Sequence, residues 1–573
     1  MSFVSGWNDR SVSTIDLGES AAPVVGVDDH PAASTDSAAS TGSAASTGSA
    51  ASTGSAASAD DAGSVPTRRV VAHRGAPRVR RENTLPSVAA AAAVGADAIE
   101  VDVRRTSDGV AVLLHDETLA RLWGDARPVA DVPWCEVARL GNGLDRIPRL
   151  DAVLDRLGGT GTVLVIDLAD PEDAVTAATT VLGAPTAPLV EWCGAPAAMD
   201  VVRTVLPDAV VWLAWESLAA PTAADLVPLR PAVLNLDVAF LTPATVRAAH
   251  RLGLLVSCWT VDDADLAVWA ERTGADSITT DDVPLVQASL ETAASRGWPS
   301  LDTVPSEAEV AVRAEVLVHR VANEVIAFTR EHPVTAVTTK THPADLVTDV
   351  DRLVEQHVRG RVRAAFPTHG FSGEEYGDAP GDAFRWYLDP VDGTTNLANG
   401  LPWTSMSICL TRNGRPVVGA VADPWRGEVL EARHGHGARN RGRALRLRSD
   451  ETSGRVSLAG NVVGTELDGH RPWPGFAAFL DALADRSCTL RVMGSGTLTL
   501  AQVAAGRGAG ACVSAFDPID HAAALLLVHE AGGVVLDPSG PVRGFPAVGQ
   551  PVLVAHPDVA GELHAIWTAA LGS

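Results

Sequence analysis

The sequence lacks the features that would place this chain on nucleic acid or across a membrane. Its 573 residues include 70 acidic and 45 basic side chains, which gives a formal net charge of −25. Because a phosphate backbone is bound by a basic surface, we expect no nucleic-acid partner. No run of 18 or more apolar residues occurs, so we expect no membrane span either.

Cysteine and lysine are scarce as well. The six cysteines are scattered without Cys-x-x-Cys spacing, which is typical of reduced thiols in the core of a cytoplasmic protein. The N-terminus shows no basic start followed by an apolar run, so a secretory signal is not expected. Lys340 is the single lysine, and every other basic residue is an arginine.

The chain is long enough for more than one hydrophobic core. Residues 33–60 repeat the unit STGSAA, whose small polar residues cannot bury enough surface to offset the cost of ordering them. The segment 294–307 contains two prolines and a glycine, as a domain boundary often does. We therefore predict a disordered tail at 1–66, a first domain at 68–288, a linker at 289–306 and a second domain at 307–573.

Short β-rich runs alternate with alanine-rich helical stretches between residues 68 and 288. Repeated βα units over this length predict an α/β fold of the (β/α)₈ barrel type. Nine such runs are present, one more than a barrel can hold. The turn SDG at 107–109 is too short for a crossover helix, so we expect one irregular connection there.

Polar residues fall at the carboxyl ends of several of these strands. In a barrel those ends face one common mouth, where catalytic groups collect. Glu100 and Asp102 are two residues apart on one strand, so their side chains share a face and can hold one cation. His73 and His115 can serve as acid and base on a phosphodiester, whose hydrolysis requires two proton transfers.

The motifs HRG (73–75), ENT (82–84), EVDV (100–103), HD (115–116), CWTVDD (258–263) and SITTDDVP (277–284) occur in this order. The region resembles the glycerophosphodiester phosphodiesterase family. The resemblance implies His73 and His115 as the acid/base pair and Arg74 as a positive charge for the substrate. It also implies a divalent metal, Mg²⁺ or Ca²⁺, on Glu100, Asp102 and Asp167. Asp167 stands where the family usually has glutamate, and Ala169 where it usually has lysine.

A second acidic cluster centres on DPVDGTTN (389–396). Asp389 and Asp392 bracket a proline turn, so both carboxylates and the Val391 carbonyl between them can converge on a pair of cations. Gly393 and Thr394 then offer backbone N–H groups, which hold phosphate if a helix begins there.

Two further carboxylates come from distant parts of the chain. Glu374 lies in GEE after an apolar pair, and Asp520 lies at the head of the apolar stretch HAAALLLVHEAGG (521–533). Several carboxylates in one place repel each other without cations, so the second cluster predicts bound Mg²⁺.

The combination of K-x₄-DLVT-x₂-D, GEE, DPVDGTTN and DPID-x₉-EAGG resembles the inositol monophosphatase family over residues 305–573. That resemblance implies a layered αβαβα sandwich and Mg²⁺-dependent hydrolysis of phosphomonoesters. The implied metal ligands are Glu374, Asp389, the Val391 carbonyl, Asp392 and Asp520.

The resemblance also implies catalytic and substrate-binding residues. Glu374 and Thr394 would orient the attacking water, and Asp351 would polarise the Thr394 hydroxyl. Lys340 falls on the motif's lysine position, and a site that needs a compact ammonium would resist replacement by arginine. The substrate would contact Gly393, Thr394 and, in the loop MGSG (493–496), Gly494 and Ser495.

The natural substrate stays open at this stage. Inositol phosphatases of the family carry a glutamate seven residues before the last aspartate, where this chain has Val513. Other sugar phosphates, nucleoside bisphosphates and histidinol phosphate therefore remain alternatives to inositol phosphate.

Together the two clusters predict a cytoplasmic bifunctional hydrolase of small phosphate esters. A homodimer through the second domain is implied by the family resemblance. Two alternatives remain: the barrel is a degenerate binding or regulatory module, or the whole chain is an acidic scaffold.

Overall fold

The computed structural model describes residues 69–184, 187–296, 307–339, 346–447 and 456–572. The predicted tail at 1–66 and Lys340 lie outside the described residues. Arg68–Ser573 belong to a single compact unit. Both predicted folded regions are therefore parts of one body.

The first half of this unit is a closed barrel of eight parallel strands, as predicted. The ring closes because the first strand pairs with both the second and the last. The one run in excess of eight is the third in chain order, and it pairs antiparallel with the second strand as a hairpin outside the ring, so the SDG turn is the irregular connection. The strands are β1 (Arg69–Ala72), β2 (Ala98–Arg105), β3 (Ala111–Leu113), β4 (Val163–Leu168), β5 (Val190–Gly194), β6 (Val210–Trp215), β7 (Val233–Asp237), β8 (Leu255–Trp259) and β9 (Ser277–Thr280).

Helices follow most barrel strands. The last of them continues to Arg296, so residues 289–296, assigned above to the linker, are helical. The helices are α1 (Leu85–Ala93), α2 (Ala120–Trp123), α3 (Trp134–Val137), α4 (Leu150–Leu157), α5 (Pro171–Leu182), α6 (Pro196–Val205), α7 (Ala223–Leu229), α8 (Pro243–Arg251), α9 (Ala264–Thr273) and α10 (Val283–Arg296).

The second half is the five-layer sandwich that the family resemblance implied. It contains an eight-stranded and a six-stranded sheet. Two helices cover the outer face of the larger sheet, two lie between the sheets, and two cover the smaller sheet. These helices are, in that order, α11 (Glu307–Glu331) and α12 (Asp349–Ala365), α15 (Gly496–Ala504) and α16 (Pro518–Glu530), and α14 (Phe476–Ala484) and α17 (Ala560–Leu571), while the short α13 spans Thr394–Ala398.

Two strands of the sandwich position carboxylates of the second acidic cluster at their ends. In the larger sheet, β12 (Gly370–Gly373) ends before Glu374 and β14 (Phe384–Asp392) ends at Asp392. A two-stranded pair consists of β10 (Val337–Thr339) and β11 (Leu346–Thr348). The larger sheet contains β12 (Gly370–Gly373), β13 (Gly377–Ala379), β14 (Phe384–Asp392), β15 (Ser405–Arg412), β16 (Arg415–Asp423), β17 (Glu428–Arg433), β18 (Gly437–Asn440) and β19 (Arg443–Leu445), and the smaller β20 (Val462–Thr465), β21 (Thr489–Val492), β22 (Gly510–Val513), β23 (Val534–Asp537), β24 (Gly540–Pro541) and β25 (Val552–Ala555).

The helices between the two sheets are mostly apolar and are buried on all sides. In α16 every residue from His521 to Val528 is buried, and in α15 every residue is buried. A helix with apolar residues all around is stable only where it is enclosed, so this composition matches its position between the sheets. The first turn of α16 carries Asp520 to the edge of that buried layer.

Candidate functional site: two carboxylate centres

The barrel mouth contains a tight group of three carboxylates. Glu100, Asp102 and Asp167 each offer an oxygen within 4.8 Å of the others, and in the described part of the chain no other group of three or more potential metal ligands is as close. Asp102 and Asp167 are direct partners on the neighbouring strands β2 and β4. Asp167 therefore reaches the group although its side chain is shorter than the usual glutamate.

The three carboxyl groups are buried together, but their pKa values differ because each lies beside different charges. Burial and the charges of Asp102 and Asp167 raise the pKa of Glu100 to about 8. Burial and the Asp102 charge raise the pKa of Asp167 to about 6. Burial also acts on Asp102, but Arg74 and the two histidines outweigh it and lower its pKa. Oxygen donors in such a group are the ligands that Mg²⁺ and Ca²⁺ prefer, so the residues present fit a divalent cation.

Each predicted barrel histidine is held by a neighbouring aspartate through its Nδ1 atom. His73 Nδ1 lies 2.7 Å from Asp281 Oδ1, and its Nε2 lies 4.0 Å from a Glu100 oxygen. Burial and Arg74 lower the pKa of His73, but the Asp281 hydrogen bond and the charges of Glu100 and Asp281 raise it to about 9. His115 Nδ1 lies 2.8 Å from Asp116 Oδ1. In both rings Nε2 remains on the side away from the aspartate.

Arg74 lies among the carboxylates. Its backbone N–H donates to Glu100 at 2.9 Å, and its Nε lies 3.0 Å from Asp102. Its φ of 56° is in the left-handed region, which turns the chain between β1 and the following loop. Arg74 thus places one positive charge beside the three acids.

Three residues that support this centre were quoted in the motifs above without a role. Asp281 fixes His73, and Asp262 accepts the Asp281 backbone N–H at 2.7 Å. Asn83 donates its side-chain amide to Asp102 at 2.7 Å and accepts the Asp102 N–H at 3.1 Å. The two consecutive acids at 262–263, shortly after β8, and at 281–282, directly after β9, were the signal that could have found the two aspartates.

The second centre is built around the Thr394 hydroxyl. This oxygen lies 3.0 Å from Asp351 Oδ1 and 2.9 Å from the Val391 carbonyl oxygen. Asp351 is buried in the first turn of α12, where it accepts the backbone N–H of Thr348. The predicted contact between Asp351 and Thr394 is therefore present in the structure.

The carboxylates of the second centre lie within electrostatic reach of one another. Burial, followed by the charges of Glu374, Asp392 and Asp520, raises the pKa of Asp389 well above its usual value. Burial also raises the pKa of Asp392, although hydrogen bonds from Ser495 and Thr497 oppose it. A site of carboxylate and carbonyl oxygens that is short of positive charge fits Mg²⁺.

Two loops bring the predicted substrate residues to this centre. Ser495 donates its hydroxyl to Asp392 at 2.6 Å, and its own position at the N-cap of α15 follows Gly494. Gly393 is the N-cap of α13 with φ of 90°, and a Cβ there would lie 2.8 Å from the Gly494 carbonyl oxygen. The two loops thus meet at their glycines.

Two glutamates that the sequence analysis did not single out hold loops of this centre, the buried Glu355 and the half-buried Glu466. Glu466 accepts the Gly494 N–H at 2.7 Å. Burial raises the pKa of Glu466 to about 7. Glu355 accepts the backbone N–H groups of Glu375 and Tyr376 and so holds the loop that carries Glu374.

Two further expectations concerned the cysteines and a membrane span. All six cysteines have free thiols, and five of them are buried. Among the described residues no helix is long and apolar enough to cross a membrane.

Comparison with known proteins assigns both halves. The model of the inositol monophosphatase family matches residues 307–571, and that of the glycerophosphoryl diester phosphodiesterase family matches 73–173 and 184–285. The chain is 38% identical over 207 residues to Nus factor SuhB of Pseudomonas aeruginosa, covering 34% of this chain and 73% of the relative.

The chain belongs to the inositol monophosphatase family and carries a glycerophosphoryl diester phosphodiesterase domain in front. The chain is also 36% identical over 202 residues to the inositol-1-monophosphatase of Mesorhizobium japonicum, covering 35% of this chain and 74% of that protein. A solved phosphodiesterase of Oleispira antarctica, in complex with its product sn-glycerol-3-phosphate, is 23% identical, with a TM-score of 0.37 and coverage of 39% of this chain and 96% of that one. Both families hydrolyse phosphoesters, so this protein is a hydrolase with a diesterase-type barrel and a phosphatase domain.

Proposed function

We propose that this protein is a bifunctional phosphoester hydrolase in which both centres are active. The observation that carries the proposal is the presence, in one compact unit, of two separate carboxylate centres, each with its own proton-handling side chains. The barrel would cleave a glycerophosphodiester such as glycerophosphoinositol. The phosphatase domain would then hydrolyse the released inositol phosphate.

In the barrel, Glu100, Asp102 and Asp167 would hold a divalent cation, Mg²⁺ or Ca²⁺. In the phosphatase domain, Glu374, Asp389, Asp392, Asp520 and the Val391 carbonyl would hold Mg²⁺. A cation bound at either site polarises the phosphoryl oxygens and lowers the pKa of a bound water.

The two barrel histidines would move the protons. With its Nδ1 fixed by an aspartate, each ring presents Nε2 to the reaction, as an acid or base must. One histidine takes a proton from water as the water oxygen bonds to phosphorus. The bond from phosphorus to the glycerol oxygen breaks, and the other histidine protonates that oxygen. Arg74 would attract the phosphate.

In the phosphatase domain, Thr394 and Glu374 would orient the attacking water. The Thr394 hydroxyl donates its hydrogen to Asp351, so the lone pairs of the Thr394 oxygen can accept a hydrogen bond from the water. Backbone N–H groups around Gly393, Gly494 and Ser495 would bind the phosphate oxygens. The water would lose a proton to Glu374 as its oxygen bonds to phosphorus, the bond from phosphorus to the inositol oxygen would break, and that oxygen would take up a proton from solvent.

The substrate of the second reaction depends on which bond the barrel cleaves. Cleavage on the glycerol side leaves inositol phosphate for the phosphatase domain. Cleavage on the other side leaves sn-glycerol 3-phosphate, the product held by the Oleispira enzyme, and the phosphatase domain would then act on that ester. Cytoplasmic localisation and a homodimer through the phosphatase domain stay predictions.

A time course of the purified full chain with glycerophosphoinositol and Mg²⁺ tests the proposal, with products followed by phosphorus NMR. Inositol phosphate should rise and then decline as inorganic phosphate appears. Asp389→Asn should stop at inositol phosphate, whereas His73→Ala should leave the diester intact and still hydrolyse added inositol phosphate.

Three results would count against the proposal. Glycerol phosphate as the first product would refute cleavage on the glycerol side. An intact diester together with hydrolysis of inositol phosphate would favour the alternative in which the barrel is an inert binding module. Absence of both activities with Mg²⁺, Mn²⁺ and Ca²⁺ would favour the acidic scaffold.

A further inference from the structure

Asp237 and Trp259 point into the barrel at its mouth, on the same inward-facing side of the strands as the carboxylate centre. Val71, Val165 and Val233 share one buried cluster inside the barrel. Side chains alternate along a strand, so residues two or four positions after these valines also point inward. These residues are His73 after Val71, Asp167 after Val165 and Asp237 after Val233. Trp259 is the direct partner of Asp237 on the neighbouring strand and shares its face.

An arginine of the phosphatase domain reaches this layer. Arg320 lies on α11 and forms an ion pair with Asp237, whose side chain is only 3% exposed. Its guanidinium carbon lies 5.3 Å from the centroid of the Trp259 ring. It also donates to Glu216, directly after β6, at 2.6 Å. The Arg320 charge therefore lies at the carboxyl ends of β6, β7 and β8.

Neighbouring side chains of the phosphatase domain hold Arg320 in this position. Glu324, one turn later on α11, lies 3.3 Å from the Arg320 Nε. Arg361 on α12 donates to both Glu216 at 2.7 Å and Glu324 at 2.9 Å. Arg320 is only 12% exposed. A guanidinium fixed on both sides by carboxylates is pre-organised for hydrogen bonding.

The barrel itself has no lysine at the position where its family usually provides one. Ala169 occupies that place after β4, on the inward-facing side of the strand. Arg320 thus brings a cation to the mouth from the other domain.

Resting on the proposed diesterase activity, we propose that Arg320 is a specificity-determining residue of the barrel site that selects the non-glycerol ester group. Guanidinium N–H groups and the oxygens of Asp237 and Glu216 lie together beside an aromatic face, and such a surface suits a hydroxyl-rich neutral group such as a polyol. A cationic group such as choline finds no free partner there, because Arg320 already covers the Trp259 ring and neutralises Asp237 and Glu216. Without Arg320, the Trp259 ring and the two carboxylates would instead suit a quaternary ammonium.

The experiment compares kcat/KM of the full chain for glycerophosphoinositol and glycerophosphocholine. The wild type should prefer the inositol diester. Arg320→Met should lower this preference by roughly tenfold, through a higher KM for the inositol diester and a lower KM for the choline diester. Arg320→Lys keeps the charge and should keep the preference. Arg330→Met is the matched control, because Arg330 lies on the same helix but contacts Pro424 within the phosphatase domain.

Hydrolysis of inositol phosphate by each variant reports folding, since Arg320 lies outside the phosphatase centre. A wild type that prefers the choline diester overturns the inference even if Arg320→Met does not fold. Unchanged selectivity in a folded Arg320→Met also overturns it. A wild type that hydrolyses neither diester refutes the proposed diesterase function itself, which is a different outcome.

Discussion

Replacement of Thr394 by valine tests the water-orienting role of its hydroxyl with almost no change in shape. The hydroxyl oxygen lies 3.0 Å from Asp351 and 2.9 Å from the Val391 carbonyl, so it is oriented from two sides. Loss of a positioned proton-handling group typically lowers the rate by about 10²–10⁴-fold. We expect kcat for inositol phosphate to fall within that range while KM changes little.

The same substitution should cost little stability. Asp351 is 1% exposed and would lose one donor, which costs about 1–3 kcal/mol when a buried acceptor is left unpaired. Its other oxygen keeps the Thr348 backbone N–H at 3.0 Å, so the lower end of that range is expected. Urea unfolding followed by tryptophan fluorescence measures this cost separately from the kinetics.

The next residue provides the matched control. Thr395 is exposed, so Thr395→Val makes the same chemical change outside the centre and should leave kcat unchanged. If Thr394→Val keeps kcat within about threefold of the wild type while folded, the hydroxyl does not orient the water and the reasoning is refuted.

Three further substitutions test other parts of the structure. Gly393→Ala should destabilise the protein by about 1–3 kcal/mol in urea, because φ is 90° and the new Cβ would lie 2.8 Å from the Gly494 carbonyl oxygen; an unchanged midpoint would contradict this. Ala169→Lys should raise diesterase kcat/KM by roughly 10–100-fold by restoring a cation at the mouth, whereas Ala169→Met should not. Burial lowers the pKa of His369 to about 4, so the neutral ring stabilises the fold above pH 6.5 and this stability is lost as the pH falls from 6.5 to 4. His369→Gln should remove about 1–2 kcal/mol of that pH dependence, after allowance for partial exposure; parallel pH profiles of the two proteins would rule this out.

The fold could be predicted from the sequence where the local hydrophobic pattern agrees with the pairing of distant strands. Strand periodicity predicted the barrel and its one irregular connection, because each βα unit carries its own hydrophobic pattern. The amphipathic spacing of residues 307–331 predicts one long helix, and α11 has those bounds. Residues 289–296 have no helix breaker and continue α10, and the domain bounds stay predictions.

The motifs could not predict how close together the carboxylate oxygens of each centre lie. Substitutions at Asp167 and Ala169 suggested a weakened barrel, whereas the phosphatase motif was complete. The structure nevertheless brings the barrel carboxylates within 4.8 Å of one another. The direct register between Asp102 and Asp167 compensates for the shorter side chain, and register between strands separated by some 60 residues is not visible in a motif.

Contacts between the two domains could not be predicted from the sequence, and the reason is physical. An ion pair has the same residue types whether it is exposed or buried, but its energy depends on burial. On α11 the Glu307–Arg412 pair is 50% and 43% exposed, and such pairs contribute about 0–1 kcal/mol. Loss of one partner from a buried pair such as Arg320 and Asp237 costs about 3–5 kcal/mol, because the other charge is left unpaired. Burial of Arg320 results from the packing of α11 against the barrel. The packing between the domains therefore determines which arginines of this arginine-rich chain lie at the barrel mouth.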